Sequence, residues 1–102
     1  MIMMRTVLAP GVTLKSGLFK PNSEMTMRLP AEKKTRVLAY LLGVPDACIA
    51  DCQLFDPVTG ERYETTNIVR EKDGFTWSTH VIYMFERYDV KLAQEFLAVV
   101  GV

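Results

Sequence analysis

The sequence predicts a small α+β protein: a mainly antiparallel sheet, built of short N-terminal strands plus a three-strand meander, packed with one central helix and one or two C-terminal helices. Three observations lead there. Strand-like stretches follow one another between residues 47 and 77 instead of alternating with helices, which is the order of an α+β chain. The segment PAEKKTRVLAYLLG has helical periodicity and lies between a proline and a glycine. Phe75, Trp77, Tyr83, Phe85, Tyr88 and Phe96, six of the ten aromatic residues, fall within one C-terminal run and mark the core.

Taken in order, residues 1–9 form an apolar start, Ile2, Met3, Met4, Val7 and Leu8, which reads as a strand broken by Pro10-Gly11. Short extended pieces follow at Val12-Thr13-Leu14 and Leu18-Phe19, closed by Pro21-Asn22-Ser23. Residues 24–29 alternate as EMTMRL, with Met25, Met27 and Leu29 on one face of a half-buried strand. The central helix spans about 31–42, with Val37, Leu38, Leu41 and Leu42 inward and Glu32, Lys33, Lys34 and Arg36 outward. Gly43 ends it and Pro45 prevents its resumption.

Residues 47–55 read as a strand and Asp56-Pro57-Val58-Thr59-Gly60 as a hairpin loop, a type I turn followed by a residue with positive φ. A return strand covers 61–69, and Lys72-Asp73-Gly74 turns the chain into Phe75. From there two readings compete. A single strand would alternate Phe75, Trp77, Thr79, Val81, Tyr83 and Phe85 on one face. The preferred reading is a short strand with Ser78 as N-cap of a helix over about 78–88, because Glu86-Arg87 before Tyr88 continues a helical face. A bend at Asp89-Val90-Lys91 leads to a last helix over about 92–100, stopped by Gly101.

At 102 residues the chain is the size of one domain with its own core. No apolar stretch approaches the roughly 20 residues of a membrane span, and the start, MIMMRTVLAPGV, lacks the basic and apolar regions of a signal peptide. The expected location is the cytoplasm. Net charge is zero but segregated. Residues 1–43 hold seven bases against two acids, and residues 44–102 five bases against ten acids. Such a split favours contact between the halves, association between copies, or an anionic partner for the N-terminal part.

Candidate sites are few. Trp77, Tyr83, His80 and Tyr88 are the residues that would line a pocket for a small apolar or aromatic ligand, although such rings commonly do no more than fill a core. Arg28, Lys33, Lys34 and Arg36 are the cations that would meet phosphates, and a solvated helix face is the commoner use of such a cluster. His80 is the only histidine, and no motif places a Ser, Cys or carboxylate with it, so no residue is assigned a catalytic role. The acids Asp46, Asp51, Asp56, Glu61 and Glu64 read as a solvated strand and hairpin. Cys48 and Cys52 read as buried structural thiols, since zinc needs more ligands than they and one histidine supply. No metal is expected, and with no glycine-rich phosphate loop no cofactor is expected either.

The string EMTMRLPAEKKTRVLAYL superficially resembles the strand and first helix of ribbon-helix-helix repressors. That family requires a second helix directly afterwards, where this chain has Pro45 and the strand-like CIADCQLF, so membership is not assigned. The resulting expectation is a non-enzymatic binding protein, adaptor-like or immunity-like, forming a homodimer and open to an unknown protein partner. The alternatives are a ligand-binding or enzymatic domain near Trp77, Tyr83 and His80, and a nucleic-acid binder using the basic N-terminal half.

Overall fold

The computed structural model describes residues 4–15, 17–44, 46–50, 54–63 and 67–102, with 46–50 as backbone alone. Its elements run β1 (Arg5–Thr6), α1 (Ala31–Leu42), β2 (Asp46–Ala50), β3 (Leu54–Phe55), β4 (Arg62–Tyr63), β5 (Asn67–Lys72), β6 (Phe75–Ser78), α2 (Thr79–Tyr88) and α3 (Gln94–Val100). The α+β class holds, and strand gives way to helix at Ser78, as the Glu86-Arg87-Tyr88 pattern indicated.

β2, β5 and β6 form the antiparallel meander, and β1 adds to β6 in parallel, giving the order β1-β6-β5-β2. The β5–β6 turn is Asp73-Gly74, with φ of 54° and 83°. Two successive positive φ values suit the twist of a tight hairpin, and Asp-Gly is among the pairs that best tolerate them. Pairing sets Phe75 opposite Lys72 and Trp77 opposite Arg70 on one face. Phe75 and Trp77 are buried there with Val37 and Leu41 of α1, Val81, Ile82 and Phe85 of α2, and Phe96 and Leu97 of α3. The core thus lies between the sheet and three helices.

Trp77 ties the layers together. Its ring centroid lies 5.9 Å from those of both Tyr40 and Phe96, and its Nε1–H donates to the Leu41 carbonyl at 3.1 Å. That carbonyl belongs to the last turn of α1, where no helical N–H remains to meet it. The one polar atom of the indole is therefore satisfied inside the core.

Three local expectations are corrected. Residues 24–29 form no strand; Met25 closes a turn on Asn22, and Thr26 makes an isolated bridge with Val90. Leu42 is 57% exposed, because the buried stripe of α1 follows Val37 and Leu41 and the next residue lies roughly 100° further round. Gly43 ends α1 without a left-handed φ; a Cβ there would meet the Ala39 carbonyl oxygen at 2.9 Å, so close approach is what selects glycine. Gly101, with φ of 90°, does take the left-handed cap. The chain following α1 is β2, so the second helix of a ribbon-helix-helix protein is absent from that place.

The bend after α2 is gripped by the N-terminal segment. Ala9 N–H donates to the Lys91 carbonyl and Ala93 N–H to Val7, while Met27 N–H donates to Asp89 and Lys91 N–H to Met25. Asp89 caps α2 with φ of 55°, and its carboxylate takes a 2.7 Å ion pair from Lys34 of α1.

Candidate functional site: the Asp56 cluster

β3 and β4 are two residues each and make their own small ribbon, Leu54 opposite Tyr63 and Phe55 opposite Arg62. So short a ribbon cannot hold itself together. Asp56 does part of that work. Its backbone N–H donates to the Glu61 carbonyl and its carbonyl accepts from Gly60 N–H, both at 2.8 Å. Its Oδ1 accepts from the N–H groups of Val58 at 2.7 Å and Thr59 at 3.1 Å, the side-chain turn that Asp favours at the start of such a loop. Gly60 completes the loop with φ of 76°.

The other oxygen fastens the hairpin to α2. Asp56 Oδ2 accepts from Tyr88 Oη at 2.6 Å and from Tyr63 Oη at 3.0 Å, and Arg87 Nη1 lies 3.0 Å away. Arg87 also donates to Tyr63 Oη at 3.2 Å and reaches Glu61 at 3.4 Å. Tyr63 stacks on Tyr83, with centroids 5.0 Å apart and planes 9° from parallel. Asp56 is 1% exposed, so the expectation of a solvated hairpin acid is overturned: a turn residue has become the buried centre of five donors.

The electrostatics follow from that geometry. Burial pushes the Asp56 carboxyl up, but the hydrogen bonds from Tyr88, Thr59, Val58 and Tyr63 outweigh it and hold the pKa at about 2. Burial and the bond to that carboxylate push Tyr88 up to about 12, and burial raises Tyr63 as well. Burial lowers His80, against a smaller opposing pull from Asp56. The arrangement is a poor acid–base device. Its carboxylate is shut off from solvent and its tyrosines are held protonated, far from the neutral pKa that proton transfer needs. Chemically it is a clip.

The four aromatic-pocket candidates divide. His80, Tyr83 and Tyr88 lie on α2, where Tyr88 bonds Asp56 and Tyr83 stacks on Tyr63, whereas Trp77 turns into the core against Tyr40 and Phe96. His80 is half-buried, and its Nε2 is shielded with no hydrogen-bond partner among the described residues. Of the four basic candidates, Lys34 is bound to Asp89 and to the Glu86 carbonyl, and Arg36 donates to the Gly101 carbonyl at 3.1 Å; Arg28 and Lys33 are exposed. The side chain of Cys48, and Cys52 altogether, lie outside the described residues, as do Asp51, Glu64 and the side chain of Asp46.

Sequence reasoning missed Asp56 and Arg87. The signal for the first was available, since Asp at the head of a Pro-containing turn commonly bonds the N–H groups that follow. For the second there was none, because Tyr88 and Arg87 meet Asp56 across more than thirty residues of chain. The hairpin shows two apolar side chains to solvent, Phe55 at 48% exposed and Val58 at 46%. Among the described residues no helix is long and apolar enough to cross a membrane. Comparison with known proteins places the chain in no family: no family model, curated protein or solved structure matches it.

Proposed function

We propose that the protein is a non-enzymatic interaction protein whose contact element is the β3–β4 hairpin, and that it self-associates through it. The observation that carries this reading is the pairing of a clipped loop with exposed apolar side chains. Asp56 is fully engaged in holding the hairpin to α2, while Phe55 and Val58 on the same hairpin face water. A loop fixed in advance loses little freedom on binding, so its exposed ring contributes to affinity with a smaller entropic cost. The apolar residues of the N-terminal extended pieces suit such an interface less: Phe19 is buried, and Met25 and Met27 are half-buried against the core, leaving Leu18 outside.

Sedimentation velocity at tens of micromolar tests the reading. The wild-type chain is expected to sediment as a dimer, and Phe55→Ser with Val58→Ser as a monomer of unchanged melting temperature. A wild-type monomer, or a dimer indifferent to both substitutions, overturns self-association through the hairpin. A second reading, a small-ligand site beside Tyr83 and His80, draws on the unpartnered His80 Nε2. It predicts that His80→Ala leaves the sedimentation unchanged.

A further inference from the structure

We propose that the cleft beside β1 binds a small zwitterion with an apolar body, an apolar amino acid or dipeptide. The cleft measures about 420 Å³ and lies at the edge of the four-stranded sheet, lined by β1, the Pro10-Gly11 turn and the start of α3. That volume falls within the roughly 300–1,000 Å³ typical of small-molecule sites. Leu8, Ala93 and Phe75 give it apolar lining.

Two charged side chains line it as well, Arg5 and Glu95. The Arg5 guanidinium lies over the Phe75 ring, 4.5 Å from its centroid, a cation–π contact that holds the cation at the cleft. Among the described residues neither Arg5 nor Glu95 makes an ion pair, with the other or with anything else. One cation and one anion therefore share a partly apolar cleft without neutralising each other. A ligand carrying both charges resolves that arrangement: its carboxylate meets the guanidinium fork and its ammonium meets Glu95. A simple carboxylate would be repelled by Glu95 and a simple amine by Arg5, so the pair selects by repulsion as well as attraction. The site is separate from the hairpin and shares no residue with it.

Isothermal titration calorimetry with L-leucine and L-leucyl-L-leucine, each beside its N-acetyl and C-terminal amide derivatives, tests the assignment. Both side chains are exposed, so Arg5→Gln and Glu95→Gln are expected to fold. At least one zwitterion should bind, and capping either end should weaken it by about tenfold or more, the scale of one charge-assisted hydrogen bond. Arg5→Gln should abolish the preference for the free acid over the amide, and Glu95→Gln that for the free amine over the acetylated form. Phe55→Ser should leave the binding unchanged, which separates this site from the hairpin. No binding of either zwitterion at millimolar concentration, or equal binding of capped and free forms, overturns the proposal.

Discussion

A carboxylate with 1% of its surface exposed stays ionised only because donors surround it, and Asp56 has two hydroxyls, one guanidinium and two backbone N–H groups. Removing it takes the shared acceptor from the two hydroxyls and the two backbone N–H groups, while Arg87 keeps Tyr63 and Glu61. Asp56→Ala is therefore expected to cost about 2–4 kcal/mol, read as a lower urea midpoint, well beyond the effect of an ordinary surface change. The same geometry sets an acid limit. The folded pKa is depressed to about 2, so the stabilisation is complete above the ordinary carboxylate value of 3.8 and is lost as pH falls from there towards 2. Asp56→Asn should flatten that part of the stability curve. His80 acts in a higher window. Its folded pKa is lowered, so the folded state binds fewer protons, and stability present above about 6.5 declines as pH falls below it. The melting temperature of the wild type should drop between pH 7.5 and 5.5 more than that of His80→Gln. An equal drop in both would remove His80 from the account.

At the scale of elements, legibility tracked how local the cause was. α1 was readable to its ends because proline, apolar spacing and glycine all act within a few residues. The Asp73-Gly74 turn and the change from strand to helix at Ser78 were readable for the same reason. Residues 24–29 were not, since alternating methionines describe a half-buried extended chain whether its partner is a long strand or the short bend after α2. Ser78 shows the limit of a capping argument. It is the N-cap of α2 by position, yet its side chain makes no capping bond. Thr79 Oγ1 instead accepts from Ile68 N–H at 2.9 Å and returns a bond to the Ile68 carbonyl, tying α2 to β5. Within α1 two adjacent leucines give a contrast. Leu41→Ala, in the core at 0% exposed, is expected to cost about 2–5 kcal/mol, and Leu42→Ala, mostly in solvent, well under 1 kcal/mol. Comparable losses at the two positions would mean that Leu42 is covered in solution. Trp77→Ala should be more damaging still, about 3–5 kcal/mol of packing with the Leu41 carbonyl left unmet, while Trp77→Phe keeps most of the volume and loses chiefly that bond.

Across the whole molecule, the segregation of charge along the chain is met in part within the fold. The basic half donates Lys34 to Asp89, and Tyr40 of α1 donates to Asp73, so two carboxylates of the acidic half fasten α1. The N-terminal segment completes this closure by apolar contact and backbone bonds together. Val7 and Phe19 are buried, and residues 7–9 and 25–27 both pair with the bend between α2 and α3. These contacts join parts of the chain more than sixty residues apart, which is why no local pattern announced them. They also make the fold depend on its first residues. Removing residues 1–12 would leave the Lys91 carbonyl and the Ala93 N–H without their partners and open the packing around Leu92. Such a truncation is expected to lose cooperative thermal unfolding, followed by circular dichroism, because it removes core and not a tail. Val7→Asp, which leaves the backbone bonds possible but places a charge at a fully buried site, should do the same. Arg5→Gln, two residues away and exposed, should melt like the wild type. If the truncated chain melts as sharply and as high as the intact one, the N-terminal segment is packed on a core that does not need it, and the closure described by these bonds does not stabilise the fold.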